Sequence, residues 1–198
     1  NQQEKKPTDS RYKALKEKYK KCKEWATDFN INLRDIEGKL DKEYEKNKNI
    51  LMSDKYYLYF SQLGKCMYTL ENIDFDDLLY NNKYDIDHIY PQALIKDDSL
   101  SNRVLTNKQK NAAKTDNMIS DITGFLPKEA YAFYEKLLDG NLITKSKFEK
   151  LTKKEFSEDE LNGFVNRQVV STNQSVKGLI EVLKGYLGVN PQNIIYSK

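Results

Sequence analysis

Apolar side chains recur along this chain at two periods, and the switch between them frames the region that carries chemistry. Tyr12, Leu15, Tyr19, Cys22, Ala26 and Phe29 lie three or four residues apart, one stripe of a helix whose other faces carry lysine. Leu33, Ile36, Leu40 and Tyr44 predict a second amphipathic helix, and Tyr56, Tyr59, Phe60, Leu63 and Met67 a third that closes near Gly64. Over residues 84–90 the period drops to two, as in a strand, until Pro91 stops it. QALIKDDSLS then reads as a loop and NRVLT as a second short strand. Thr106 and Gln109 have capping-box spacing, in which hydroxyl and carboxamide each satisfy a backbone N–H where a helix begins. Helical spacing returns over 127–138, ending near Gly140, and over 144–151. Ser157 and Glu160 form another capping box, opening a helix through Phe164 and Val165. The fold class expected is α+β, predominantly helical, with no internal repeat.

Composition narrows the class without naming a function. A chain of 198 residues that is 38% hydrophobic can close one core. Charged residues make up 32% and the mean hydropathy is −0.81, so no run approaches the roughly 20 apolar residues of a membrane span. Cys22 and Cys66 stand far apart with no CxxC pair, which suits buried thiols in a reducing cytoplasm rather than a disulfide framework or a zinc knuckle. The chain opens on NQQEKKPTDS without a methionine and closes on NIIYSK, which reads as a strand lacking its partner. It is expected to be a segment of a longer protein.

Charge adds local detail. The net charge of +3 is too mild to imply nucleic-acid binding by itself. Two basic runs stand out: seven basic residues between Arg11 and Lys23 against Glu17 alone, and Arg103, Lys108, Lys110 and Lys114 with no acid among them. Taken alone, the first run reads as a solvated helix face. The 14 tyrosines fall mostly at helical spacing, which favours packing over base stacking.

The candidate chemistry sits in YDIDHIYP, residues 84–91, which holds the only histidine, His88. A lone histidine is most often structural, but Asp85 and Asp87 precede this one, and Asn102 and Asn111 follow on the second strand and the helix. Carboxylate, imidazole and carboxamide could therefore meet where the three elements join. Oxygen ligands suit a hard cation such as Mg2+, whereas zinc would want more histidine or cysteine. The histidine would then be free to take a proton from water. Asp87 and His88 face opposite ways in a regular strand, so an irregular strand is expected there. No GxSxG elbow or GxxxxGK loop occurs.

These residues carry a resemblance. YDIDHIYPQALIKDDSLSNRVLTNKQKNAAKTDN closely resembles the ββα-metal core of the HNH nuclease domain in Cas9-type CRISPR effectors, the RNA-guided DNA endonucleases of antiviral defence. KYYLYFSQLGKCMYT, NLITKSKFEKLT and GFVNRQVVSTNQSVK are similar to outlying parts of that domain and its exit linker. The resemblance implies a short two-stranded antiparallel sheet and a helix, surrounded by further helices. It implies an N-terminal linker over 1–9, the HNH domain over 10–162, an exit linker over 163–175 and the start of a RuvC segment over 176–198.

Carried over by position, the resemblance makes His88 the general base and Asp87 and Asn111 the ligands of Mg2+, for which Mn2+ could substitute. Asn102 becomes a brace of the loop, Lys114 a lysine near the scissile phosphate, and Asp85 a lower-ranked residue behind the ligands. Lys96, Arg103, Lys108 and Lys110 become nucleic-acid contacts. The implied reaction is one-metal hydrolysis of the DNA strand paired to guide RNA, leaving a 3′ hydroxyl and a 5′ phosphate. The implied partners are that strand and the RuvC and recognition domains, with room for an inhibitor protein and none for a membrane, in a prokaryotic cytoplasm. Two other readings stand beside it: a self-sufficient HNH homing or restriction nuclease, and a non-catalytic helical binding module.

Overall fold

A computed structural model of the chain describes residues 7–26, 36–46, 53–160 and 162–163. The two-residue period becomes strand β1 (Tyr84–His88), which pairs antiparallel with β2 (Arg103–Asn107). Helix α5 (Lys108–Lys114) leaves β2 directly and packs back on both strands, completing a ββα unit. Before it in the chain come α1 (Pro7–Ala26), α2 (Ile36–Lys46), α3 (Asp54–Ser61) and α4 (Phe75–Tyr80). After it come a 3-10 turn at Ile119–Asp121, α6 (Ala130–Asp139) and α7 (Lys145–Thr152). The chain is thus α+β with helices predominating. No helix among the described residues is long and apolar enough to cross a membrane.

The chain divides into two compact units, Asn1–Gln92 with Lys96–Lys154, and Ala93–Ile95 with Glu155–Lys198. In the second unit the Ser157 hydroxyl accepts the Glu160 N–H at 3.2 Å while the Glu160 carboxylate accepts the Ser157 N–H at 2.9 Å, the expected capping box. The expected run of that helix through Phe164 and Val165 lies outside the described residues, as do Phe29, Leu33 and residues 164–198. All elements labelled above lie in the first unit.

The helical stripes supply that unit's core. Leu15, Tyr19 and Cys22 of α1 are buried against α3, with the Tyr19 ring edge-on to Phe60 at 5.4 Å. Tyr12 stacks on Tyr44 of α2 at 3.9 Å. Trp25 lies against the end of α6, where a side chain on Gly140 would come within 2.9 Å of the indole, so only glycine admits the ring. Both cysteines are free and buried. Burial raises the Cys22 thiol to about 12, which makes it inert.

The structure corrects three expectations. The cap of α5 is Asn107, whose side chain accepts the Lys110 N–H at 2.7 Å. Thr106 is instead buried on β2, with its hydroxyl 3.2 Å from the Cys66 sulfur, because the alternation of the strand runs one residue further than the capping pattern suggested. The strand is regular: the β1–β2 register is unbroken from Tyr84 opposite Asn107 to His88 opposite Arg103. Helix α3 ends at Ser61, because Leu63 and Gly64 take positive φ of 52° and 68° and turn the chain. Met67 therefore lies beyond it, donating its N–H to the Leu105 carbonyl at 3.1 Å. Helix α1 begins at Pro7, so its first three residues coincide with the end of the 1–9 stretch expected to lead into the domain. Helix α4, capped by Asp74, went unread because six residues are too few to show a period.

Beside the turn after α3, Gln62 is fully buried. Its carboxamide accepts the Leu105 N–H at 2.7 Å and donates to the Leu105 carbonyl at 2.9 Å, doing the work of a ladder partner for β2. This fixes residues 62–68 against the strand pair and brings Tyr68 beneath β1.

Candidate active site

His88 is the last residue of β1, so its side chain leaves the sheet where the loop to β2 begins. Asn102, wholly inaccessible, holds that loop in shape. Its oxygen accepts the Tyr90 N–H at 3.0 Å, and its nitrogen donates to the carbonyls of Tyr90 at 3.0 Å and Asp97 at 2.9 Å. The same loop is pinned from outside by Lys150, whose Nζ lies 2.6 Å from the Asp97 carboxylate. Burial alone would raise the Asp97 carboxyl, but hydrogen bonds from Lys150 and Ser99 outweigh it and hold the group at about 2.

The braced loop returns Asp98 and Gln92 to His88. Asp98 Oδ1 lies 2.9 Å from His88 Nε2, and the Gln92 amide donates to the same oxygen at 2.6 Å. These bonds from His88 and Gln92 lower the Asp98 carboxyl. An ionised carboxylate only accepts, so Nε2 carries the hydrogen in this contact. Nδ1, on the other side of the ring, has no partner among the described residues.

Asp87 turns to the other face, as strand alternation requires, and is only 12% exposed. Its Oδ2 accepts the Tyr68 hydroxyl at 2.6 Å and lies 3.0 Å from Lys114 Nζ. Lys114 is itself wholly buried and also donates to the His88 carbonyl oxygen at 2.8 Å. The lysine expected at a phosphate thus ties together the backbone of one candidate residue and the carboxylate of its neighbour. Asn111 stands one turn before Lys114 on α5, half-buried, its carboxamide without a partner among the described residues. Burial, then the charge of Asp87, raises the Tyr68 hydroxyl well above its ordinary value, so it stays a donor.

The remaining candidates are dispersed. Asp85 shares the Asp87 face but lies nearest Lys108, at 4.0 Å. Lys110 Nζ sits over the Phe125 ring at 4.2 Å, and Lys96 is exposed. Arg103 is held by Asp54 at 2.8 Å, and Arg11 pairs with the same carboxylate. A cleft of about 310 Å³ lined by Lys83, Tyr84, Asn107 and Lys108 opens at the far end of β1 from His88. It does not mark the chemistry. Sequence reasoning missed Tyr68, Gln92 and Asp98, although KCMYT and KDDS lie within the stretches that carried the resemblance.

The donor set can be tested against a metal. Among the described residues no three His, Cys, Asp or Glu side chains group as metal ligands, which argues against a zinc-type site. Asp87 and Asn111 offer hard oxygens, and Oδ1 of Asp87 has no protein partner among the described residues. One carboxylate and one carboxamide fit Mg2+, which keeps waters and takes substrate phosphate oxygens to fill its shell.

Comparison with known proteins bears on the fold that carries these residues. Residues 66–119, from the turn after α3 through the ββα unit to the start of the 3-10 turn, match the HNH endonuclease family. The chain is 38% identical over 156 residues to the CRISPR-associated endonuclease Cas9 of Streptococcus mutans, across 77% of this chain and 11% of that protein. It is 36% identical to Cas9 of Listeria innocua across 76% and 11%, and 33% identical to Cas9 of Staphylococcus aureus across 69% and 14%. The structure of Streptococcus thermophilus Cas9 in complex with the GGAA PAM aligns with a TM-score of 0.50 at 25% identity, over 68% of this chain and 14% of that one. The chain therefore spans about a tenth of the length of the first two relatives. Within that tenth, the ββα unit and its helical surround make this chain an HNH endonuclease domain of the Cas9 type, and it belongs to that family of phosphodiester hydrolases.

Proposed function

We propose that the chain hydrolyses one phosphodiester bond in the DNA strand paired to a guide RNA, with Mg2+ held by Asp87 and Asn111 and His88 as general base. The observation that supports this most directly is the division of labour at the end of β1. His88 keeps Nδ1 open while Asp98 occupies Nε2, and Asp87 keeps one oxygen open while Tyr68 and Lys114 occupy the other.

Mg2+ bound there would supply charge neutralisation at the phosphate and the leaving 3′ oxygen, and Mn2+ could replace it. The protein residues do the rest. His88 accepts the proton of the attacking water at Nδ1, and Asp98 keeps the ring oriented and stabilises the imidazolium that forms. Lys114 holds Asp87 and the His88 backbone together, so the base and the ligand cannot drift apart. Lys96, Lys108 and Lys110 are proposed phosphate contacts, with Arg103 contributing only if it releases Asp54. The products are a 3′ hydroxyl and a 5′ phosphate.

In the whole effector, residues 1–9 and 163–175 are proposed as linkers that place the domain on its strand, with 176–198 leading into a RuvC segment. Tethering then supplies the effective concentration that a net charge of +3 cannot supply through phosphate binding alone. RuvC and recognition domains are the proposed intramolecular partners, and the prokaryotic cytoplasm the proposed setting. Strand-resolved cleavage of a guide-matched duplex by the full-length effector tests the reading. With His88→Ala the guide-paired strand should survive while the displaced strand is still cut. Cleavage of the guide-paired strand at the normal rate would overturn it.

A further inference from the structure

The buried hydroxyl of Tyr68 lies 2.6 Å from Asp87 Oδ2, on the same oxygen that Lys114 Nζ approaches to 3.0 Å. Both protein donors therefore sit on one side of the carboxylate. A carboxylate on a strand can rotate about its last torsion, but one whose oxygen is held from two directions cannot do so without abandoning a buried donor. We propose that Tyr68 is a positioning residue for metal binding: its hydroxyl locks the Asp87 carboxylate so that Oδ1 is presented to a divalent cation. This rests on the metal reading of Asp87 above.

The placement of Tyr68 is built rather than incidental. It is wholly inaccessible, its ring packs edge-on to Phe125 at 5.2 Å, and the backbone before it is anchored where the Met67 N–H meets Leu105 of β2. The hydroxyl is the donor in this bond, since an ionised carboxylate oxygen can only accept. Tyr68 adds no charge, so it fixes the ligand without repelling the cation. Lys114 brings a positive charge to the same oxygen, which opposes a nearby cation by Coulomb repulsion. Orientation of Asp87 is in this way shared between a neutral donor and a charged one. Partners that orient metal ligands commonly change affinity by about 10- to 100-fold when removed.

The test is titration of Mn2+ into the 198-residue chain, followed by electron paramagnetic resonance of the free ion, on wild type, Asp87→Ala, Tyr68→Phe and Tyr134→Phe. Tyr134 is the control, because it is equally buried and loses a comparable bond, from its hydroxyl to the Met67 carbonyl at 2.8 Å. Tyr68→Phe should raise the Mn2+ dissociation constant by about tenfold or more, whereas Tyr134→Phe should leave it unchanged. In cleavage by the full-length effector, half-saturating Mg2+ should rise with Tyr68→Phe while the rate at saturating Mg2+ recovers. Tyr68→Met, which fills the space without a donor, should repeat the loss if the phenylalanine variant proves too unstable to titrate. If Asp87→Ala weakens Mn2+ but Tyr68→Phe does not, Tyr68 has no positioning role and the metal reading stands. If Asp87→Ala binds Mn2+ as wild type does, the metal reading fails and this inference fails with it.

Discussion

Lys114 and Asp87 form an ion pair from which water is almost excluded, Nζ to Oδ2 3.0 Å, with the lysine wholly inaccessible and the aspartate 12% exposed. Such a pair is costly to break from one side, because the remaining charge stays buried without compensation. Asp87→Ala strands the Lys114 ammonium with only the His88 carbonyl and should cost about 3–5 kcal/mol of folding free energy. Asp87→Asn keeps an acceptor for Tyr68 and Lys114 and should cost less. Urea denaturation of the two variants checks this. Equal midpoints for Asp87→Ala and wild type would show that the pair is not closed in solution.

His88 is predicted to behave in the opposite way. Its side chain is 20% exposed, and the partners of its ring, Asp98 and Gln92, are themselves solvent-facing. Little packing depends on it, so His88→Ala should change stability by less than about 1 kcal/mol. Cleavage of the guide-paired strand should fall by about 10²- to 10⁴-fold, the usual contribution of a positioned base. Thermal melting and single-turnover cleavage on one preparation separate the two effects. A variant that melts early would mean that lost activity says nothing about proton transfer.

Asn102 is predicted to govern His88 from behind the loop. Its three bonds to the backbone at Tyr90 and Asp97 are made by a fully buried carboxamide. Asn102→Asp keeps the shape but cannot donate, so two carbonyls lose their partner and a charge is buried. The variant should lose about 3 kcal/mol of stability. Amide hydrogen exchange at Tyr90 and Ile89 should quicken together. Unchanged protection there would place the loop's support elsewhere.

How much of this was legible follows from how far apart in sequence the partners stand. The strands and the loop showed in local periodicity, the start of α5 in a capping pattern set one residue too early, and His88 and Asp87 in a short motif. Tyr68 did not, because its meaning depends on Asp87, 19 positions away, and on a turn at positive φ that no period reports. The basic run from Arg103 to Lys114 contains no acid, which suggests an open cationic face. The acids arrive through the fold: Asp54 holds Arg103, Asp85 approaches Lys108, and Asp87 meets Lys114. Sequence charge counts cannot separate a solvated lysine from a buried one whose partner lies on another element. Likewise Thr106 fitted a capping pattern by spacing, yet its burial on β2 decided its role.

Lys147 allows a prediction about pH that does not involve the catalytic residues. It sits on α7, 3% exposed, with Nζ donating to the carbonyls of Arg103 at 2.5 Å and Leu100 at 3.3 Å and with no carboxylate paired to it among the described residues. Desolvation, reinforced by the positive charges of Lys18, Arg103 and Lys150, lowers it from 10.5 to about 7. The folded chain therefore gives up this proton more readily than the unfolded chain, and between pH 7 and 10.5 the unfolded state binds more protons. Stability must then rise with pH across that window, by up to about 1.4 kcal/mol per unit, and the gain is lost as pH falls through 7. Lys147→Met removes the titration and fills similar space. The difference in unfolding free energy between wild type and Lys147→Met, measured by urea denaturation from pH 6 to 10, should be flat below about 7 and move in favour of wild type above it. A difference that stays constant over the whole range would mean that the Lys147 ammonium remains charged in the folded chain, held by the two carbonyls alone.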